Sequence, residues 1–130
     1  MPPKKDLPSR LTDAELELMQ PLWRLGRATV HELLATLPPE RPLAYTTVST
    51  ILRILEQKQV VRSEKEGRGH IYIPILSREA YQNSSVQQLV THVFDGAPSA
   101  LVRCLLENEK LSPAELERLR QLLNQEDSHA

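Results

Sequence analysis

The sequence has little of what builds disulfides, metal centres or membrane spans. Its 130 residues contain one cysteine, Cys104, and four widely separated histidines: His31, His70, His92 and His129. One cysteine excludes an internal disulfide, and the histidine spacing matches no recognisable metal site. No run approaches the roughly 20 apolar residues of a transmembrane helix, and the N-terminal stretch MPPKKDLPSR lacks the apolar segment of an export signal. We therefore expect a cytoplasmic protein that binds no metal.

Signatures of catalysis are missing as well. The chain has no glycine-rich phosphate loop, no nucleophile flanked by a base and no carboxylate pair in a plausible pocket. Hydrophobic residues make up 40% of the chain and charged residues 25%, which is ordinary for a folded globular protein. We expect a binding protein without a cofactor rather than an enzyme.

The formal net charge of -1 hides a gradient along the chain. Between residues 41 and 70, six lysines and arginines stand against three glutamates, a net charge of +3. Between residues 107 and 127 the same count gives -3, from six acidic and three basic residues. Such asymmetry predicts contact with a polyanion in the middle of the chain and a different role for the tail.

Three helices are predicted in the N-terminal half. Thr12 with Glu15, and Thr29 with Glu32, have the spacing of capping boxes, so a helix is expected to begin after each threonine. Periodic apolar residues continue each helix until glycine or proline stops it. The expected helices are residues 13–25, 30–37 and 45–59.

The third predicted helix has two distinct faces. Its apolar residues fall within one narrow arc at a period of about 3.6 residues: Val48, Ile51, Leu52 and Leu55. The opposite arc carries short hydroxyls with a guanidinium and an amide, rather than the glutamate and lysine of a solvated helix: Thr46, Ser49, Thr50, Arg53 and Gln57. This composition favours hydrogen bonding to a partner.

A β-hairpin is predicted after the third helix. A first strand begins at Val60, and the alternation of Ile71, Ile73 and Ile75 with other residues indicates a second. Glycines on both sides of Arg68 permit a tight turn with positive φ. The hairpin is therefore expected to place Arg68 at its tip.

Three helices followed by a hairpin is the order of a winged helix-turn-helix, whose third helix enters the DNA major groove. Hydroxyls can donate to phosphates or base edges, and arginine can bond guanine through two hydrogen bonds. The candidate DNA contacts are Tyr45, Thr46, Thr47, Ser49, Thr50, Arg53 and Arg68, with Arg68 suited to a minor groove or a phosphate. Thr47 could instead cap the helix, and Tyr45 could form a hydrophobic staple at its entrance. The alternative for the whole domain is a protein-interaction module that binds no DNA.

The C-terminal part is predicted to form three helices with apolar stripes and too little core of their own. We expect a second copy of the chain to cover them, through Leu89, Val93, Phe94, Leu101, Leu105, Leu116, Leu119 and Leu123. The expected fold class is mainly α with a small β-hairpin: a winged helix-turn-helix domain plus a C-terminal helical dimerisation segment. The expected domains are a flexible arm over residues 1–10, the winged domain over 11–76, the dimerisation segment over 77–124 and a frayed tail over 125–130.

Four separated motifs resemble the BlaI/MecI/CopY family of penicillinase-type repressors. They are LTDAELELMQPLW (residues 11–23), AYTTVSTILRILEQK (44–58), EKEGRGHIY (64–72) and LLENEKLSPAELERL (105–119). The resemblance implies a homodimer that binds a dyad operator and represses genes for β-lactamase, an alternative penicillin-binding protein or metal export. It also implies that Thr46, Thr47 and Thr50 contact DNA and that Arg68 is the wing arginine.

Two departures from the family pattern concern induction. The tail lacks the paired cysteines of copper-responsive members, which excludes copper sensing by that route. In many members the dimerisation segment is cut, which implies a sensor protease as partner. Where staphylococcal-type repressors are cut between asparagine and phenylalanine, this chain has Cys104-Leu105. We expect repression to be relieved by cutting or loosening the chain near residues 102–106 rather than by a small ligand.

Three remaining side chains are interpreted as structural. Cys104 shares a helix face with Leu101 and Leu105, so we expect a small buried apolar residue, with oxidation of its thiol as the alternative. His70 and His92 are expected to have structural roles only.

Overall fold

The computed structural model describes residues 10–108 and 110–129, with side chains as far as Gln125. Within these residues it contains six α-helices and one antiparallel two-stranded sheet, which confirms the predicted fold class. The elements are α1 (Asp13–Leu25), α2 (Val30–Thr36), α3 (Tyr45–Gln57), β1 (Val61–Glu66), β2 (Gly69–Pro74), α4 (Arg78–His92), α5 (Pro98–Asn108) and α6 (Pro113–His129). They fall into two compact units, one ending at Ser85 and the other beginning at Val86. No helix in the described ranges is long and apolar enough to cross a membrane.

Hydroxyl side chains define the helix starts that the sequence predicts. Thr12 accepts a hydrogen bond from the backbone of Glu15 at 3.1 Å, while the Glu15 carboxylate accepts one from the backbone of Thr12 at 2.9 Å. Thr29 and Glu32 repeat this reciprocal arrangement at the start of α2. Both capping boxes are confirmed, and each satisfies two backbone N–H groups that a helix start leaves without partners.

The core of the first unit lies between the three N-terminal helices and the hairpin. Its large side chains with almost no exposed surface are Leu18, Met19, Leu22, Leu33, Val48, Leu52, Leu55, Val60 and Val61. On each helix these residues are spaced so that they share one face. Burial of that face fixes the rotation of α3 and therefore decides which of its side chains reach solvent.

Three helix ends differ from the sequence prediction, and α2 does so by one residue, since it ends at Thr36 with Leu37 as its C-cap. α3 ends at Gln57, earlier than expected, because Gln59 takes a left-handed backbone with a φ of 65°. Glycine usually marks such a position, and glutamine gives no such signal. The helical backbone of α6 continues to His129, past the expected end at Asn124, since no glycine or proline follows Pro113.

The hairpin joins β1 to β2 through the turn Gly67-Arg68, which places Arg68 at the tip as predicted. Gly67 has a φ of 62°, a conformation that favours glycine, at the position where type II′ hairpin turns place it. Ala28 and Tyr72 exchange backbone hydrogen bonds of 3.0 and 2.8 Å. These bonds tie β2 to the segment between α1 and α2.

The first turns of α4 pack on α1. The Trp23 indole donates a hydrogen bond to the Leu76 carbonyl at 2.8 Å, and the Leu11 backbone donates to the Tyr81 hydroxyl at 3.2 Å. The Trp23 and Tyr81 ring centres lie 6.0 Å apart. The compact unit that contains these contacts continues to Ser85. The functional boundary between a DNA-binding and a dimerisation domain stays a prediction.

The second unit contains the rest of α4 with α5 and α6, and many of its apolar side chains are exposed. None of its described side chains is buried. The exposed large hydrophobic residues are Val86, Leu89, Val93, Val102, Leu105, Leu106, Leu116, Leu122 and Leu123. Apolar surface of this extent is uncommon on a monomer and indicates an interaction surface.

An ion pair joins the start of α1 to the end of α3. The Lys58 ammonium donates to both carboxylate oxygens of Glu15 at 2.9 Å, and Glu15 is only 5% exposed. Burial alone would raise the pKa of Glu15, but the hydrogen bonds from Thr12 and Lys58 outweigh it and hold that pKa below its usual value. Glu15 is therefore ionised in the folded chain at neutral pH.

We expect this ion pair to make the stability of the fold pH-dependent. Because the Glu15 pKa is lower in the folded chain than in the unfolded chain, its stabilisation is present above the unfolded-state pKa and is lost as pH falls through the folded-state pKa. Glu15→Gln should lower the free energy of unfolding at neutral pH by about 1–3 kcal/mol and flatten the decline at acid pH. Urea unfolding over a pH series measures both effects. Glu115→Gln is the control, since Glu115 forms only an exposed pair with Arg118, and an unchanged acid slope in Glu15→Gln would contradict the assignment.

Candidate nucleic-acid interface

The exposed face of α3 carries most of the predicted contact residues. Val48, Leu52 and Leu55 have no exposed surface and hold the opposite face against the core. Tyr45, Thr46, Thr47, Thr50 and Arg53 are exposed, and Ser49 is half-buried. Glu56 is the one acidic residue of α3, near its C-terminal end. The face therefore offers hydroxyl and guanidinium donors, which suits the acceptor-rich surface of DNA.

Only some of the basic side chains near this face lack an ion-pair partner within the described residues. Of the six lysines and arginines between residues 41 and 70, three are paired: Arg41 with Glu17, Lys58 with Glu15 and Arg62 with Glu64. In the part of the chain that the structure describes, Arg53, Lys65 and Arg68 form no ion pair. The positive charge that remains open to a partner is therefore carried by α3 and the hairpin.

A side-chain hydrogen bond joins the hairpin to α3, and backbone hydrogen bonds close the base of the hairpin. The Ser63 hydroxyl of β1 donates to the Glu56 carboxylate of α3 at 2.8 Å. The Val60 carbonyl accepts hydrogen bonds from the backbone of Ile75 and Leu76 at 2.8 and 3.1 Å, which closes the base of the hairpin. The hairpin is thus fixed beside α3, as a wing requires.

A cleft of about 400 Å³ lies between α2, α3 and the hairpin, and is named the wing cleft. It is lined by Thr29, Val30 and His31 of the α2 start, Tyr45 and Ser49 of α3, and Glu66, Arg68, Gly69, His70 and Tyr72 of the hairpin. Burial, reinforced by the charge of Glu56, raises the pKa of Tyr72, so its phenol stays protonated at neutral pH. The cleft brings together three predicted contacts, Tyr45, Ser49 and Arg68. The other four, Thr46, Thr47, Thr50 and Arg53, lie outside its lining.

The two alternative roles at the start of α3 can be compared with the structure. The N-cap residue is Ala44, and no side chain bonds the start of the helix, so the capping role of Thr47 is wrong. Tyr45 is the first residue of α3 and does not precede its N-cap, so the hydrophobic staple is wrong as well. Its side chain is 47% exposed, with its ring centre 4.9 Å from that of His31. Its contact with a phosphate stays a prediction.

The sequence interpretation missed three side chains near these contacts. His31 received no role and His70 only a structural one, yet both are exposed and line the wing cleft. Ile54 is 39% exposed on α3. A helical projection places Ile54 outside the apolar arc, which is the signal that could have found it. No sequence pattern relates His31 to His70, because α2 and β2 meet only in the fold.

The predicted dimerisation residues are not buried within the single chain. Leu89, Val93, Leu105, Leu116 and Leu123 are exposed, while Phe94, Leu101 and Leu119 are half-buried. Val86, Val102, Leu106 and Leu122 are also exposed and were absent from the predicted set. The dimer interface itself stays a prediction.

Cys104 is half-buried and forms no disulfide, so the expected full burial is not reached within one chain. The Asn108 side chain donates to the Cys104 carbonyl at 3.0 Å and lies 3.5 Å from its sulfur. The Cys104-Leu105 peptide bond lies inside α5. A protease would therefore need local opening of α5 to reach it.

Comparison with known proteins identifies the family of this chain. The family model described as penicillinase repressor matches residues 11–125. The chain belongs to the penicillinase repressor family. Members of that family are transcriptional repressors rather than enzymes, so the chain is a DNA-binding transcriptional repressor, and the resemblance drawn from its motifs is confirmed.

Two relatives match this repressor over almost nine-tenths of its length, and a third matches over about half. The penicillinase repressor of Bacillus licheniformis is 28% identical over 116 residues, which are 89% of this chain and 91% of the relative. The methicillin resistance regulatory protein MecI of Mammaliicoccus sciuri is 24% identical, over 88% of this chain and 93% of the relative. The transcriptional regulator BlaI of Mycobacterium tuberculosis is 39% identical over 72 residues, or 55% of this chain and 52% of the relative.

A solved structure supports the winged helix. The DNA-binding domain of the repressor BlaI, determined in solution, matches with a TM-score of 0.50 at 29% identity. The match covers 58% of this chain and 90% of that domain. This repressor therefore shares the fold of a domain that is described as binding DNA.

Proposed function

We propose that this repressor binds a palindromic DNA operator as a homodimer. In each subunit α3 lies in the major groove, and Arg68 reaches an adjacent minor groove or a phosphate. The exposed donors of α3 support DNA reading, and the exposed apolar side chains of the second unit support self-association. Two subunits related by a twofold axis require two half-sites in opposite orientation, so the operator is palindromic.

The observation that carries this proposal is the pair of unpartnered arginines beside the hydroxyl face of α3. Arg53 is exposed on α3, and Arg68 lines the wing cleft between α3 and the hairpin. Neither arginine has an ion-pair partner among the described residues. A guanidinium without a carboxylate partner is available to a phosphate or to guanine.

The names of two relatives support a proposal for the regulated genes. One relative is named for penicillinase and another for methicillin resistance. By analogy, this repressor acts in the cytoplasm on a gene for a β-lactamase or a penicillin-binding protein, and a sensor protease relieves it. Selection of bound genomic fragments at two salt concentrations identifies the operator and the adjoining gene. Recovery of no fragment above background would favour a protein-interaction module instead.

We expect Arg68→Ala to weaken binding to operator and unrelated DNA alike, because a phosphate contact reads no sequence. If Arg68 contacts one phosphate, the slope of log affinity against log salt falls by about one for each subunit. Fluorescence anisotropy with the operator and with a scrambled duplex measures both quantities. Arg62→Ala is the matched control, since Arg62 lies on the same hairpin but is already paired with Glu64. Equal losses in the two variants would contradict a special role of Arg68.

Thr50→Val extends the same experiment from the phosphates to the bases. This change removes one hydroxyl from the exposed face of α3 and keeps the shape of the side chain. Base preference should therefore change while binding to scrambled DNA stays the same. Unchanged base preference in Thr50→Val, together with native binding by Arg68→Ala, would mean that the recognition surface is wrongly assigned.

A further inference from the structure

The wing cleft collects hydrogen-bond donors that the folded chain does not use. His31 lines it from α2, His70 and Arg68 from the hairpin, and Tyr45 and Ser49 from α3. Within the described residues, Ser49, Arg68 and His70 have no hydrogen bond or ion pair with another side chain. These groups are available to a ligand that accepts hydrogen bonds.

The charges around the cleft favour an anion. The only carboxylate among its lining residues belongs to Glu66, and it lies 3.6 Å from the guanidinium of Arg27, which offsets its charge. Arg68 carries a permanent positive charge, and each imidazole gains one on protonation. The attraction for an anion therefore increases when His31 and His70 are protonated.

The position of the cleft identifies the anion. Tyr45 and Ser49 lie one turn apart along the edge of α3 and flank the face that carries Thr46 and Arg53. When a recognition helix lies in the major groove, the sugar-phosphate backbone that borders the groove runs beside the helix. With α3 so placed, the cleft between α3 and the hairpin opens toward that backbone. A volume of about 400 Å³ is large enough for a phosphate and its neighbouring sugar.

We propose that the wing cleft binds a phosphodiester of the operator backbone, and that His31 and His70 hold it in their protonated forms. Operator affinity therefore falls as pH rises. This inference rests on the proposed DNA binding and adds to it a pH response located in two named side chains.

The other charged and titratable groups around the two imidazoles do not share this response. They are Tyr45 and Tyr72, Lys65 and Glu66, Glu32 and Glu56, and Arg27, Arg53 and Arg68. Lys65 is the cross-strand neighbour of His70, and Tyr45 is the ring neighbour of His31. Phenols, ammonium and guanidinium groups ordinarily titrate above about pH 9, and carboxyls below about pH 5. Imidazole is the side chain whose charge ordinarily changes between about pH 5.5 and 8, so variants at His31 and His70 test the assignment.

The sign and size of the effect follow from linkage. A bound phosphate favours the charged imidazole, so DNA binding takes up protons, and affinity is highest at low pH. If the contact changes the proton affinity of an imidazole tenfold, operator affinity at about pH 5.5 exceeds that at about pH 8 by up to about tenfold for each histidine.

The experiment measures the operator affinity of the full-length chain by fluorescence anisotropy across this pH interval, at constant ionic strength. The native chain should bind more tightly at low pH, and the His31→Gln/His70→Gln variant should lose most of that pH dependence. His92→Gln is the matched control, because His92 belongs to α4 and is not among the residues that line the cleft, so it should keep the native profile. Calorimetric titrations in two buffers of different ionisation enthalpy should register proton uptake for the native chain and less for the double variant.

A second arm distinguishes the DNA backbone from free phosphate. Replacing chloride by inorganic phosphate at matched ionic strength should leave operator affinity unchanged if the cleft holds a DNA phosphodiester. Stronger inhibition by phosphate, lost in the double variant, would reassign the cleft to a free anion. Binding that does not vary with pH, or pH dependence that survives in the double variant, would overturn the inference alone. Absence of DNA binding at every pH would overturn the proposed function with it.

Discussion

A chain that ends at Ser85 is expected to fold, to sediment as a monomer and to bind the operator about 100-fold or more weakly than the full chain. It retains every buried residue of the described core, from Leu11 to Tyr72, so the first unit keeps its own source of stability. Affinity falls because the second unit, if it dimerises, links two DNA-reading units. Such linkage makes the second contact intramolecular and contributes about 10²–10⁴ in affinity.

Ser85 is a better end point than Leu76 because of Tyr81. A chain that ends at Leu76 loses the hydroxyl that accepts from Leu11 and the ring beside Trp23. That shorter chain should be less stable, so weaker DNA binding would then have two causes. Sedimentation, urea unfolding and anisotropy on both chains separate the loss of dimerisation from the loss of folding.

A point variant tests the same interface without shortening the chain. Leu105→Lys places a charge among the exposed apolar side chains of α5 and should dissociate the dimer. Glu107→Lys introduces the same side chain at an exposed polar position of the same helix and serves as its control. A chain ending at Ser85 that stays dimeric would contradict dimerisation through the second unit. A Leu105→Lys chain with native sedimentation and affinity would contradict it as well.

The fold was predictable where short-range chemistry decides it. The capping pairs of Thr12 with Glu15 and of Thr29 with Glu32 are local hydrogen bonds, so the sequence contains both partners three residues apart. Gly67 likewise supplies the positive φ that the turn needs. The end of α3 was not predictable, because Gln59 is held in a left-handed conformation without any residue type that signals it.

The part of the candidate DNA interface that lies on α3 was predictable from the sequence. The parts that depend on how different elements pack together were not. Periodicity alone separates the core face of α3 from the face that carries Thr50 and Arg53. The cleft that brings His31 to His70 depends on how α2 and the hairpin pack, and the pairing of Lys58 with Glu15 depends on how α3 meets α1. Such tertiary contacts leave no periodic signal, so sequence reasoning counted Lys58 among the free charges although Glu15 neutralises it.

Induction is expected to leave an N-terminal fragment that ends near residues 102–106. Such a fragment keeps the first unit whole and loses the end of α5 with all of α6. If those helices form the dimer interface, the cut removes buried apolar area worth about 25 cal/mol per Å² and unlinks the two DNA-reading units. Operator affinity then collapses although α3 and the wing are unchanged, much as in the chain that ends at Ser85.

The structure of α5 bears on how this cut occurs. It also bears on the test of the alternative signal, oxidation of the Cys104 thiol. The Cys104-Leu105 bond lies within the helix, and none of the α5 side chains is buried in the single chain, so opening α5 breaks no contact of a buried side chain in its own subunit. Immunoblots and mass spectrometry of the repressor from cells exposed to a β-lactam should reveal the fragment and its last residue. Cys104→Ser should induce normally if cleavage is the signal, because serine preserves the size of the side chain, and should fail to induce if thiol oxidation is the signal. Full-length repressor throughout induction would exclude cleavage, and α5 would then have to lose its contacts without being cut.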